Sequence, residues 1–319
     1  MGDSKSIDAA VKSTRCVLFA YHDTGYAVLE ALLALGAPID ALFTHEDDPQ
    51  EEIWWRSCAE LAARHSIPVF APEHVDADAI ARVASLHPDV IYSVYYRYLL
   101  PDAVLNSAKI GAFNLHGSLL PKYRGRAPVN WMIVNGEREA GLTLHHMVAR
   151  ADAGDIVAQR SCAIDDSDTA LTLYRKLVPL GAEIVREFHP RIVTGRAPRT
   201  KQDLARGSYF GRRRPADGRI DWRWPARRVF NLIRAVTHPY PGAFCYVAGI
   251  KLFIWEARIA SEDGVLGAPG EIVSKKHGRL EVAAGQGSLM VIRAQLEGGA
   301  EGEASAVLDA GKSRPRALL

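Results

Sequence analysis

Cys16-Val17-Leu18-Phe19-Ala20-Tyr21 is a nearly continuous apolar run, followed by His22-Asp23-Thr24-Gly25 and then by a helical pattern over 27–35 that Gly36 ends. A short unbroken apolar run is what a strand buried on both faces requires, because neither side of its sheet meets water. The polar stretch after it predicts a turn, and the glycine marks the helix C-terminus. The same unit recurs downstream. Residues 39–44 read as a second strand, 54–65 as a helix and Ile67-Pro68-Val69-Phe70 as a third strand. Residues 78–86 then read as a helix, Val90-Ile91-Tyr92-Ser93-Val94 as a fourth strand and 112–116 as a fifth. Strands alternating with helices predict an α/β, Rossmann-like domain on a parallel sheet with right-handed crossovers. Ligands on such sheets sit beyond the carboxyl ends of the strands.

After Ala170 the alternation fades. Residues 171–188 fit one long amphipathic helix, and 196–228 carry eleven basic residues against three acids. Short apolar runs follow at 243–247, 251–255, 270–273, 280–283 and 289–293, with Gly and Asp between them. That spacing predicts a small C-terminal β-barrel, OB-like in kind. The expected division is a catalytic domain over 1–205 and a barrel domain over 206–319, with 310–319 as a loose tail.

Composition narrows the function classes. With 48% hydrophobic and 24% charged residues the chain reads as ordinary globular protein, not as a disordered one. The 39 basic and 37 acidic side chains nearly cancel, which leaves no whole-molecule attraction for nucleic acid or anionic lipid. Cys16, Cys58, Cys162 and Cys245 are far apart and form no CxxC pair, so neither a thiolate zinc site nor a disulfide framework is expected. Residues 1–14 are polar and lack a signal-peptide core, and the apolar stretch 26–43 is broken by Glu30, Gly36, Pro38 and Asp40. The expectation is a cytoplasmic protein with no membrane insertion.

The chemistry concentrates in Asn114-Leu115-His116-Gly117-Ser118-Leu119-Leu120-Pro121, at the end of the fifth strand. Side chains alternate along a strand, so an amide and an imidazole share one face where ligands bind. Downstream, Gly141-Leu142-Thr143-Leu144-His145-His146-Met147-Val148 begins with strand-like alternation and leads into Ala149-Arg150-Ala151-Asp152-Ala153-Gly154. Asp152 falls in a small-residue loop where Gly154 permits a tight turn. A carboxylate beside an imidazole favours its charged form and raises its pKa.

Together these segments resemble the folate-dependent formyltransferase family, over the whole chain and including a C-terminal domain that opens near Phe210-Gly211-Arg212-Arg213. The resemblance implies a catalytic triad of Asn114, His116 and Asp152, with no metal. It implies 10-formyltetrahydrofolate as formyl donor, contacted by Tyr98, Leu99 and Leu100, by Arg126, and by the loop Val148, Ala149, Arg150 and Ala151 up to Asp152. Phe19-Ala20-Tyr21-His22-Asp23-Thr24-Gly25, Phe43-Thr44-His45, Tyr95-Tyr96-Arg97 and Pro241-Gly242-Ala243-Phe244 look most like one branch. That branch formylates the 4-amino group of UDP-4-amino-4-deoxy-L-arabinose, on the route to modified lipid A and polymyxin resistance. Its members carry a decarboxylating dehydrogenase half, for which this chain has no dinucleotide-binding pattern.

Other readings stay open. A methionyl-tRNA formyltransferase shares the chemistry, but the region where it carries a basic tRNA-gripping insertion reads Glu46-Asp47-Asp48-Pro49-Gln50-Glu51-Glu52 here, which repels phosphates. The basic stretch 196–228 keeps that reading alive, although a solvated linker face is the more ordinary account of it. Another nucleotide-amino-sugar N-formyltransferase, a formyl-folate hydrolase and a noncatalytic folate-binding module are the remaining alternatives.

Overall fold

A computed structural model describes residues 2–49, 52–310 and 317–319. In chain order the elements up to the catalytic strand are α1 (Gly2–Ser13), β1 (Cys16–Ala20), α2 (His22–Ala34), β2 (Ile39–Phe43), α3 (Cys58–Arg64), β3 (Val69–Phe70), α4 (Ala77–Ser85), β4 (Val90–Val94), α5 (Asp102–Leu105) and β5 (Gly111–His116). They continue as β6 (Arg124–Gly125), α6 (Pro128–Val134), β7 (Glu139–His146), β8 (Ile156–Ala163), α7 (Ala170–Val193), β9 (Tyr209–Phe210) and α8 (Ala226–Val236). The last elements are β10 (Ala243–Val247), β11 (Ile250–Ser261), β12 (Ile272–Lys276), β13 (Arg279–Ala283), β14 (Ser288–Leu296), β15 (Gly302–Glu303) and α9 (Ala304–Ala310). The expected tail, 310–319, lies mostly outside the described residues.

The chain divides into two compact units. The first comprises Met1–Pro128, Glu139–Ala163 and Tyr174–Phe210, and the second Val129–Arg138, Ile164–Leu173 and Gly211–Leu319. The first unit holds a seven-stranded sheet in the order β3-β2-β1-β4-β5-β7-β8. All five residues of β1 and all five of β4 are buried, as their apolar runs predict for strands covered on both faces. The strands from β3 to β5 are parallel, and the order reverses between β1 and β4, which puts the topological switch point at their carboxyl ends. The sheet is mixed, however. β7 lies antiparallel to both β5 and β8, so it alone runs against the other six strands of the sheet.

Two local expectations are corrected. The turn expected at His22-Asp23-Thr24-Gly25 is the first turn of α2, and the change of direction is absorbed by His22 alone, at φ 60°. The helix expected from Trp54 begins only at Cys58, where the Ser57 side chain accepts from the Glu60 amide at 3.2 Å and caps it. Trp54 and Trp55 instead pack against Tyr174 and His22, at ring separations of 5.4 and 4.0 Å. A helix the sequence reading did not place, α1, carries buried Val11 and half-buried Ile7 and Ala10 on an otherwise hydrophilic surface, with buried Thr14 just beyond its end.

The second unit holds a six-stranded antiparallel sheet, β10-β11-β14-β13-β12 with β15 on β14. It is not all-β. The amphipathic α8 buries Val229, Phe230, Leu232, Ile233 and Val236, and Arg234 from the same helix donates to the carbonyls of Asp165 and Asp168 at 2.9 Å. Among the described residues no helix is long and apolar enough to cross a membrane.

Candidate active site

The site forms where β5 ends beside β7, entirely within the first unit. Antiparallel pairing places Asn114 opposite His145 and His116 opposite Thr143. Residues opposite one another point to the same face, so two imidazoles, an amide and a hydroxyl gather there. Thr143 fixes the chain beyond His116. Its hydroxyl donates to the Ser118 carbonyl at 2.6 Å and accepts from the Leu120 amide at 3.1 Å and from Gln159 at 2.9 Å. Ser118 in turn donates to the Lys122 carbonyl at 2.7 Å. This held loop returns the Tyr123 carbonyl to 2.8 Å from Nε2 of His116.

A carbonyl only accepts, so Nε2 of His116 carries a hydrogen. The nitrogen left to take up a proton is Nδ1, and it lies 3.5 Å from Oδ1 of Asp152. The same oxygen lies 3.5 Å from Nδ2 of Asn114 and 3.7 Å from Nε2 of His145. Oδ2 of Asp152 accepts from the Gly125 amide at 2.8 Å. Asp152 sits at φ 53°, a left-handed conformation that Asp tolerates better than most residues, and this turns its carboxylate inward from an exposed loop. Gly154 makes the turn possible by proximity: a Cβ there would stand 1.9 Å from the His146 carbonyl oxygen. Gln202 pins the loop from outside, donating to the carbonyls of Asp152 at 3.1 Å and Gly154 at 2.6 Å.

His116 is buried, and burial drives its pKa down. Asp152 and the Tyr123 carbonyl push it up, and His145 lowers it further. The net direction is downward, so the expected elevation by the carboxylate is real but outweighed by desolvation. Burial alone would raise Asp152, but His116, His145 and the Gly125 amide prevail and hold it at about 2. At neutral pH the pair is therefore a bare imidazole beside a carboxylate, a base that gains an ion-pair partner as it takes up a proton.

The other expected contacts differ in exposure and in the residues they touch. Val148, Ala149 and Arg150 are exposed in the loop before Asp152, with Ala151 half-buried. Leu99 is 73% exposed, whereas Leu100 is buried in the apolar layer containing Phe19 and Phe43. Tyr98 packs edge-on to His45 and His74. Arg126 is exposed and donates to the Arg97 carbonyl at 3.2 Å. His145 and Gln202 were not among the expected site residues. Strand register brings in the first and a long-range backbone contact the second. Among the described residues no group of three His, Cys, Asp or Glu side chains is placed to hold a metal ion.

Two family models match the chain: formyl transferase over residues 37–187 and the formyl transferase C-terminal domain over residues 213–310. Among solved structures, an N-formyltransferase from Helicobacter canadensis, in complex with folinic acid and dTDP-3-aminofucose, is 21% identical, with a TM-score of 0.70 over 87% of this chain and 98% of that one. WlaRD, a sugar 3N-formyl transferase solved with dTDP and 5-N-formyl-THF, is 20% identical, with a TM-score of 0.67 over 89% and 98% of the two chains. HypX from Aquifex aeolicus, in complex with tetrahydrofolic acid, is 19% identical at a TM-score of 0.62 over 92% of this chain but only 46% of its own. These likenesses show a shared fold. With both family models in place, and the Asn114, His116 and Asp152 side chains gathered in the matched region, the chain belongs to the formyl transferase family.

Proposed function

We propose that the protein transfers the formyl group of 10-formyltetrahydrofolate to the amino group of a nucleotide-linked sugar, with UDP-4-amino-4-deoxy-L-arabinose as the acceptor and lipid A modification in the cytoplasm as its setting. The observation that carries the chemistry is the convergence of Asn114, His116 and His145 on one Asp152 oxygen at the end of β5. The acceptor amine attacks the formyl carbon, and the carbonyl oxygen becomes an oxyanion. An Asn114 N–H donates to that oxygen, a contribution on the order of 3 kcal/mol for one preorganised donor. Nδ1 of His116 takes the proton released by the amine and returns it to the departing folate nitrogen, while Asp152 stabilises the imidazolium. The products are the N-formyl sugar and tetrahydrofolate. The segments Tyr98–Leu99 and Val148–Ala151, with Arg126, are assigned to the folate donor.

A folate-bound and dTDP-sugar-bound neighbour of the same fold supports an acceptor of this class over tRNA. So does the state of the basic stretch. Arg199 pairs with Asp155, Arg223 with Asp221, Arg227 with Asp166 and Glu262, and Arg228 lies over Trp224. Within the acidic segment Asp47 accepts from the Tyr21 hydroxyl at 2.6 Å, and Gln50 and Glu51 lie outside the described residues. A formyl-transfer assay offering UDP-4-amino-4-deoxy-L-arabinose, a dTDP-amino sugar, charged initiator tRNA and no acceptor in parallel tests this. Formylation of the UDP-sugar alone is expected. Formylation of tRNA, or formate release without an acceptor, overturns it.

A further inference from the structure

The two ends of a carboxamide have nearly the same shape, so the neighbours of Asn114 decide which end faces a reacting formyl group. His145 is 2% exposed, and both of its ring nitrogens are engaged by protein atoms. Nδ1 lies 2.8 Å from the carbonyl oxygen of His146. That oxygen only accepts, so Nδ1 carries the hydrogen and, in the neutral ring, Nε2 is a bare acceptor. Nε2 lies 3.1 Å from the nitrogen of the Asn114 side chain. Only the NH2 end of the amide satisfies it. The carbonyl end would set two lone pairs against each other beside a buried ring, leaving Nε2 without a donor.

We infer that His145 is a positioning residue for formyl transfer, which fixes the Asn114 amide so that its nitrogen, and not its oxygen, is presented to the developing oxyanion. One N–H of Asn114 is committed to His145. The second is 3.5 Å from Asp152, the long limit of a hydrogen bond, and this weakly held hydrogen is the one that can turn to the substrate. The antiparallel register that sets Asn114 opposite His145 makes the arrangement a property of two paired strands and not of a mobile loop. The inference rests on the reading of Asn114 as an oxyanion donor given above.

The test is steady-state kinetics and thermal unfolding of His145→Leu, His145→Gln, Asn114→Ala and the Asn114→Ala/His145→Leu double variant. His145→Leu removes the acceptor and is expected to lower kcat by roughly tenfold or more with little change in KM, as for a lost transition-state donor. His145→Gln offers a carbonyl acceptor in place of Nε2 and is expected to restore most of that loss at equal Tm. In the Asn114→Ala background His145→Leu is expected to cost nothing further, because there is no amide left to orient. The inference is overturned if Asn114→Ala is slow while His145→Leu keeps the wild-type kcat, if the two losses multiply in the double variant, or if Gln is no better than Leu. An Asn114→Ala variant at full rate would instead remove the oxyanion reading, and the inference with it. Should the leucine variant not fold, His145→Met makes the same comparison, since methionine fills space without a strong acceptor.

Discussion

At the scale of single residues, the site depends on two opposed shifts. His116 is held below its ordinary 6.5 and Asp152 near 2, so both are deprotonated at neutral pH. The rate of formyl transfer is therefore expected to be flat through neutrality and to fall in acid, with an inflection below 6.5, as Nδ1 becomes protonated. Asp152 pushes the imidazole upward, so Asp152→Asn should move that inflection to lower pH and reduce kcat by about 100-fold or more, the scale of assisted proton transfer. A pH–rate profile of both proteins checks this, and an inflection that stays put removes Asp152 from His116's surroundings. His116→Ala is expected to lose most turnover while keeping its circular-dichroism spectrum. Asn114 and His116 were legible in the sequence because strand period alone puts them on one face. Asp152 was legible only through resemblance, since an Asp among small residues is common in turns. The Tyr123 carbonyl and the Gly125 amide are backbone groups, which leave no mark on a sequence at all.

At the scale of elements, what matters is how β5, β7 and the loop after β7 are locked. Thr143 supplies the lock on one side, and Thr143→Val keeps its shape while leaving the Leu120 amide without its acceptor and the Ser118 carbonyl without its donor. The expected cost is about 1–3 kcal/mol of stability in chemical unfolding, with a kcat loss as the Tyr123 carbonyl drifts from His116. Gly154 is the lock on the other side. Gly154→Ala is expected to fold but to displace Asp152, because a methyl group 1.9 Å from the His146 oxygen forces the loop to move. Activity near wild type in that variant would show that the loop need not close in this way. The strands themselves were readable from their apolar runs, and α3 could have been placed from Ser57 and Glu60, a capping pattern. His145 was not readable as a site residue. A histidine alternating with apolar neighbours looks like core until the pairing of β7 with β5, 31 residues back, sets it against Asn114. The direction of β7 was equally hidden, since an apolar strand carries no sign of whether its neighbour runs with it or against it.

At the scale of the whole molecule, buried histidines set the response to acid. His22 and His189 are both held at about 4, by burial first, and His189 is wholly inaccessible. Unfolding frees them to bind protons at an ordinary 6.5, so stability is expected to fall as pH drops from 6.5 toward 4, with a slope of about 1.4 kcal/mol per pH unit for each. Asp152 adds to the loss only lower down, between its ordinary value and about 2. Chemical unfolding at several pH values measures the slope, and a flat curve between 6.5 and 4 would contradict the burial of these rings. The order of apolar runs announced an α/β protein with a β-rich end, but not that each unit is assembled from three stretches of chain. Asn130, which belongs with the second unit, donates to the Ala235 carbonyl at 2.8 Å, more than a hundred residues away in sequence. A fragment cut at residue 205 would keep Val129–Arg138 and Ile164–Leu173 but lose the chain they are built against, and proteases should open it there first. The same interleaving constrains heredity: no single crossover can exchange one unit for a relative's without splitting the other, so the two must be inherited, and improved, as one gene.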